Sequence, residues 1–198
     1  MEPSPPYCYP VDCLLIGMDQ SSSGPITSVS VQPVDQNGTE PSPELCQIEE
    51  GLFLGSITEA TMKDALKQAN VTHILTVASF LPSFPEEFQY KVVNSMNLIF
   101  CPGVSPVSDS VNTNIAQHFD DCFDFIDESK RLGGGVLVHC FMGVSRSVTV
   151  VVAYLMKKRH MSLSQALQHV RSRRPQASPN PGFISQLQKF EQSLKGEP

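Results

Sequence analysis

The 198-residue chain predicts an α/β fold with a central mixed, partly parallel sheet flanked by helices. Short apolar runs that read as strands alternate with longer stretches of helical periodicity, the pattern of strand–helix–strand units. Val136, Leu137 and Val138 follow a glycine triplet at 133–135 and lead through a short loop into residues 148–156, which are apolar on every side. An all-apolar strand feeding an all-apolar helix fits a parallel strand buried on both faces. The ligand site of such a sheet lies outside the C-terminal ends of its strands.

Residues 1–45 are rich in Pro, Ser, Gly and Asn and show little periodicity, so a disordered N-terminal extension is expected there. A single globular domain is expected over 46–195, with order beginning at Cys46, Gln47 and Ile48. Residues 51–55 read as a first edge strand, 58–69 as a helix, 73–78 as a strand and 90–93 as a second short strand. Ile115, Phe119, Cys122, Phe123 and Ile126 recur at helical spacing, which predicts an amphipathic helix over 113–131 ended by the glycine triplet. Asp120, Asp121, Asp124 and Asp127 would form its solvated face. Ser162-x-x-Gln165 is a capping box that opens another helix, which stops before Pro175. Asn180 and Pro181 supply an N-cap and a first-turn proline for the last helix, whose Phe183, Ile184, Leu187 and Phe190 face the core.

Composition excludes several classes. A net charge of −6 argues against a general nucleic-acid binder, because counterion release needs clustered Lys and Arg. No apolar run reaches the 18 residues of a membrane span, and no Lys or Arg precedes Lys63, so no basic targeting address is expected in the first sixty residues. Cysteines at 8, 13, 46, 101, 122 and 140 form no Cys-x2-Cys pair, which argues against a zinc site. Two basic clusters, 157–159 and Arg171-x-Arg173-Arg174, read either as attractors for an acidic or phosphorylated partner or as helix C-terminal charges facing water.

The chemistry concentrates in His139-Cys140-Phe141-Met142-Gly143-Val144-Ser145-Arg146-Ser147. A bare Cys-x5-Arg spacing is weak evidence, but here it joins a strand's C-terminal end to the N-terminus of a buried helix. Unpaired N–H groups and the helix dipole favour an anion at that place. The same field lowers a thiol pKa and leaves Cys140 substantially thiolate near neutral pH. Gly143 permits backbone angles that a side chain would block. A thiolate at the mouth of a loop of N–H groups, with an arginine closing it, is equipment for attacking a phosphate ester. Its requirement for a reduced thiol points to the cytoplasm, with the nucleus as a second compartment.

His139-Cys140-x-x-Gly143-x-x-Arg146-Ser147 resembles the signature of cysteine-dependent protein phosphatases. Ala153-Tyr154-Leu155-Met156 and Arg174-Pro175 followed by Ser178-Pro179-Asn180-x-Gly182-Phe183 resemble its dual-specificity branch. The stretch 48–194 is similar to small dual-specificity phosphatases, most of all those of plants. The resemblance implies a protein-tyrosine-phosphatase-like catalytic domain that needs no cofactor or metal and proceeds through a phosphocysteine. It makes Cys140 the nucleophile and Arg146 a bidentate holder of two phosphoryl oxygens, with the N–H groups of Phe141, Met142, Gly143, Val144, Ser145 and Arg146 binding the rest. It gives Ser147 the task of easing thiolate departure, and has His139 set loop geometry and cysteine ionisation. The general acid by resemblance is Asp109, also the only acidic residue between Glu87 and Asp120. Asn180 either supports the loop by hydrogen bonding or serves only as an N-cap.

One departure stands out. Residues 94–106 interpose about a dozen residues between the 90–93 strand and the acid segment, a length at which loops usually have a reason. That leaves a rival from another class, a phosphoprotein-binding module in which the insertion displaces Asp109. Phosphoinositide and RNA phosphatases are further alternatives, although Phe141, Met142 and Val144 put no lysine in the loop and the chain is acidic. The resemblance implies phosphorylated proteins as partners, with phosphotyrosine, phosphoserine and phosphothreonine all accepted and MAP kinases among the substrates. Oligomeric state is not legible in the sequence.

Overall fold

The computed structural model describes residues 45–78, 82–93 and 109–196. Residues 94–106 and, except for Leu45, the N-terminal extension expected over 1–45 lie outside that range. The described chain runs β1 (Cys46–Glu49), β2 (Leu52–Gly55), α1 (Ile57–Ala60), α2 (Lys63–Gln68), β3 (Val71–Thr76) and β4 (Gln89–Val92). A 3₁₀ turn (Ala116–His118) opens α3 (Phe119–Arg131), and β5 (Gly135–His139), α4 (Arg146–Arg159), α5 (Leu163–Arg173) and α6 (Pro181–Leu194) follow.

The five strands form one mixed sheet in the order β1-β2-β5-β3-β4. Only β1 is antiparallel to its neighbour; β2, β5, β3 and β4 are mutually parallel. This is the α/β architecture expected, with one correction at the edge. The 51–55 strand is interior, because Glu50 and Gly51 make a tight turn, with Gly51 at φ 68°, that folds β1 back along it.

Two predicted helices are also broken. The 58–69 helix is two short ones: the Thr61 hydroxyl bonds back to the Thr58 carbonyl, and Met62 leaves helical space at φ −87°, ψ 71°. The 113–131 helix becomes α-helical only at Phe119. Before it, Gln186 of α6 takes the Ile115 and Ala116 N–H groups on its Oε1, each at 3.0 Å. The capping box at Ser162–Gln165 and the Asn180 cap with Pro181 in the first turn form as predicted.

The sheet's two faces are packed by the period-two alternation of its strands. Leu52, Leu54, Leu75, Val136 and Val138 join the core under α3 to α6, including nearly all of α4 from Val148 to Met156. Phe53, Ile74 and Leu137 turn to the other face, where Ala60 of α1 and Leu66 of α2 cover them. Each such side chain, fully buried, contributes roughly 1.5–3 kcal/mol. What matters for function is the register: His139 at the end of β5 sits between Gly55 of β2 and Thr76 of β3. Three parallel strands therefore end together, and the 140–145 loop starts from that shelf.

Candidate active site

Four of the loop's carbonyls, those of Phe141 to Val144, are taken by the surrounding chain. Ile57 N–H donates to the Phe141 carbonyl at 3.1 Å, and Ser178 N–H to that of Val144 at 2.8 Å. Between them, the Arg174 guanidinium donates from Nε to the Gly143 carbonyl at 2.8 Å and from Nη2 to that of Met142 at 3.3 Å. In a trans peptide the C=O and the following N–H point opposite ways. Four carbonyls held outward therefore turn the N–H groups of Met142, Gly143, Val144 and Ser145 inward. Gly143 N–H, 3.3 Å from Cys140 Sγ, shows that orientation directly. Gly143 sits at φ +66°, and a Cβ there would lie 2.5 Å from the Gly55 carbonyl oxygen. No side chain fits.

Cys140 is buried at the centre of this cup, and Arg146, half-buried, begins the 14-residue helix α4 behind it. Burial alone would raise the thiol pKa. It is outweighed by the Ser147 hydroxyl, 3.3 Å from Sγ, then by the Ser147 N–H, the Arg146 charge and the Gly143 N–H, so Cys140 lies below its ordinary value. His139 is the loop's root. Its Nδ1 faces the Cys140 carbonyl at 3.2 Å and its Nε2 faces Thr76 Oγ1 at 2.8 Å. A carbonyl can only accept, so Nδ1 carries the proton and Nε2 accepts from the Thr76 hydroxyl. Burial pushes the imidazole pKa down to about 4, and the ring is neutral at physiological pH.

Asp109 lies at the loop's edge. Its Oδ1 accepts from Ser145 Oγ at 2.8 Å and from Asn180 Nδ2 at 2.7 Å. Asn180 takes both of the roles that the sequence left open. Its Oδ1 caps α6 by accepting from Phe183 N–H, while its own N–H donates to Ser145 Oγ at 3.1 Å and so touches the loop. Further along α6, Gly182 lies so close that a Cβ would be 2.0 Å from the Val111 carbonyl oxygen. Gln186 Nε2 donates to the Thr113 carbonyl at 2.8 Å. The segment 109–116 thus lies on α6 through Asn180, Gly182 and Gln186. Phe141 and Met142 carry their side chains outward, 52% and 62% exposed, as an apolar rim beside the cup.

Sequence reasoning misses Arg174, Glu59 and Gln186. Arg174 reads in sequence as one of a surface cluster with Arg171 and Arg173, yet it is buried and pairs with Glu59 at 2.9 Å. Its one sequence signal is its place before Pro175, where α5 ends and the side chain turns off the helix. The other basic cluster is paired as well: Lys157 with Asp120, Lys158 with Asp127 and Arg159 with Glu49. Asp127 also accepts from the Tyr154 hydroxyl at 2.9 Å, so that part of the acidic face of α3 is a seam to α4 rather than open water.

A thiol held low inside a ring of inward amides, at the C-terminal edge of a parallel sheet, defines a cysteine-based phosphate-binding fold. Residues 52–193 match the family model for the dual specificity phosphatase catalytic domain. The chain is 54% identical over 154 residues to dual specificity protein phosphatase 1B of Arabidopsis thaliana, spanning 77% of this chain and 85% of that one. It is 42% identical over 143 residues to MAP kinase phosphatase with leucine-rich repeats protein 2 of Dictyostelium discoideum, covering 72% of this chain and 19% of that longer protein. Among solved structures, that of human DUSP28 superposes with a TM-score of 0.66 at 36% identity, over 76% of this chain and 97% of that one. The chain belongs to the dual specificity phosphatase family. It is a protein phosphatase of the tyrosine and serine/threonine type, as the motif's resemblance implied.

Proposed function

We propose that Cys140 is the nucleophile of this phosphatase and Asp109 its general acid, within a catalytic domain spanning 46–195. The Cys140 thiolate attacks phosphorus and the P–O bond to the substrate breaks. Asp109 gives its proton to the departing seryl, threonyl or tyrosyl oxygen. Arg146 holds two non-bridging oxygens in a bidentate pair, and the N–H groups of residues 141–146 take the rest. In the second step Asp109 takes a proton from water, the water oxygen attacks the phosphocysteine, and the S–P bond breaks. The Ser147 hydroxyl, already on Sγ, stabilises the thiolate as it leaves. His139 stays neutral throughout and fixes the loop's first peptide. Asn180 supports both the loop and the acid.

The observation that carries this reading is Cys140 Sγ accepting hydrogen bonds from Gly143 N–H and Ser147 Oγ, in a loop whose Phe141 to Val144 carbonyls are each bonded to the surrounding chain. Asp109 hydrogen-bonded to loop residue Ser145 supports turnover over mere phosphoprotein capture. For substrate, the Dictyostelium relative's designation as a MAP kinase phosphatase supports activated MAP kinases, which carry a phosphorylated Thr-x-Tyr pair. The need for a reduced Cys140 supports work in the cytoplasm, with the nucleus as a second site.

Phosphate release from a doubly phosphorylated Thr-x-Tyr peptide, measured with chelator present, tests the nucleophile, the acid and the dual specificity. Wild type should clear both residues, Cys140→Ser should release nothing, and Asp109→Asn should lose about a hundredfold in rate. Turnover of wild type no faster than Asp109→Asn would leave the acid unassigned, and residual activity in Cys140→Ser would remove the nucleophile.

A further inference from the structure

Outside the reacting groups, Glu59 and Arg174 form an ion pair beside the loop. Arg174 is a buried cation, and burying a guanidinium is costly unless its donors are used. All three nitrogens are: Nε on the Gly143 carbonyl, Nη2 on that of Met142, and Nη1 on Glu59 Oε1 at 2.9 Å. The main chain of Arg174 is fixed as well, since its N–H donates to Val170 O at 2.8 Å and its carbonyl accepts from Ala177 N–H at 3.0 Å. Glu59 is anchored from the other side of the loop. It closes the Ser56 capping box of α1, accepting from the Ser56 N–H at 2.9 Å and from its hydroxyl. Burial works against its charge, but the Ser56 hydroxyl and N–H, its own N–H and Arg174 hold the carboxyl down to about 2. Glu59 is therefore charged at every working pH.

A second, independent observation places the guanidinium hard against the loop. A Cβ built on Gly143 would lie 2.5 Å from Arg174 Nη2. The loop is thus wedged between the end of β2 and this side chain. Ile57 and Ser178 hold the carbonyls on either side through backbone groups; the two central carbonyls depend on Arg174 alone among the contacts described.

We propose that Arg174, buttressed by Glu59, is a positioning residue that turns the Met142 and Gly143 carbonyls outward. It thereby aims the Gly143 and Val144 N–H groups at the Cys140 thiolate and at the phosphoryl oxygens. Its described side-chain hydrogen bonds go to the loop carbonyls and Glu59, not to the Cys140 sulfur. The inference rests on Cys140 being the nucleophile. It separates two contributions of an arginine: a charge, which acts at a distance, and a fork of donors, which acts only through geometry. Lysine keeps the first and cannot supply the second, because one ammonium cannot reach both carbonyls and Glu59 with a planar fork's directions.

The test compares wild type, Arg174→Lys, and the double variant Arg174→Met with Glu59→Gln, which leaves no unpaired buried charge. Cys140→Ser is the parallel arm. Three readouts are taken on folded protein: the pH midpoint of Cys140 alkylation by iodoacetamide, tungstate affinity by competition, and kcat and KM for an aryl phosphate. Arg174→Lys should raise the alkylation midpoint, weaken tungstate binding tenfold or more, and lower kcat as well as raising KM. The double variant should do the same. Unchanged midpoint and tungstate affinity in Arg174→Lys would overturn the proposal, because charge alone would then suffice. The proposal also falls if the double variant keeps both values. Activity surviving in Cys140→Ser would instead defeat the nucleophile assignment, whatever the Arg174 variants do.

Discussion

The phosphate loop is slung between two buried elements, whereas the 109–116 segment lies along one face of α6. The loop begins at β5, whose five residues are all buried, and ends in α4, of which Ser147 to Met156 are all buried. Its carbonyls are held by contacts from three separate parts of the chain: Ile57 after β2, Arg174 at the end of α5, and Ser178 before α6. The acid segment has one main template, with Ser145 Oγ of the loop on Asp109 as its contact on the other side. Asp109, Val111, Thr113, Ile115 and Ala116 all meet α6 or its cap, and Asp109 itself is exposed. A nucleophile loop must be rigid before substrate arrives, because preorganised donors act without reorganising. An acid that delivers one proton must come within hydrogen-bond reach of the leaving oxygen, but it need not enclose the phosphate. The two regions differ as those two tasks differ.

The largest effect should come from breaking the loop at its tightest point. Gly143→Ala demands a side chain at φ +66° with its Cβ 2.5 Å from backbone, where neither Gly55 nor the wedged Arg174 can yield cheaply. We expect loss of tungstate binding and at least a hundredfold loss of activity on every phosphate ester, good leaving group or poor. A variant with wild-type turnover of an aryl phosphate would show that the loop tolerates another path.

The next effect sharpens the comparison, since it belongs to the loop side alone. His139 is neutral and buried with a pKa of about 4, against an ordinary value near 6.5. Between those values the unfolded chain binds a proton that the folded chain refuses, so stability is lost as pH falls from 6.5 towards 4 and levels off below that. The shift corresponds to about 3 kcal/mol. Urea unfolding at pH 7 and at pH 4.5 should show a His139→Asn variant losing less on acidification than wild type. Equal losses would mean that the imidazole is not the group that titrates.

The same contrast explains what could be read from sequence. Local sequence records what local structure decides. The Val136–Val138 run and the Asn180-Pro181 cap are each a few residues long and form where expected, the glycines at 133–135 fall between the end of α3 and the start of β5, and Cys140 to Ser145 make the loop between β5 and α4. Where non-local partners decide, local sequence carries little signal. Gln186 ties up backbone groups some seventy positions earlier and holds back the start of α3. Arg174 looks like surface charge until Glu59, 115 positions away, is seen beside it. The interior place of β2 depended on Gly51 turning β1 back, and one glycine in a polar stretch is a thin signal.

The smallest effect tests the acid segment by itself. Gly182 lies in the first turn of α6 with the Val111 carbonyl against it, and an alanine Cβ would come 2.0 Å from that oxygen. Backbone must give way, and the side that can give is the exposed one, 109–112. Helix propensity favours alanine by somewhat under about 1 kcal/mol, so overall stability should change little. The displacement should instead show in proton delivery. Gly182→Ala should slow release from phenyl phosphate, a poor leaving group, by roughly ten- to a hundredfold. It should leave p-nitrophenyl phosphate, whose phenolate departs with little help, nearly untouched, and tungstate affinity unchanged. A uniform loss across both esters would mean that α6 supports the loop as much as the acid, through Asn180 N–H on Ser145, and that the two regions are mechanically one.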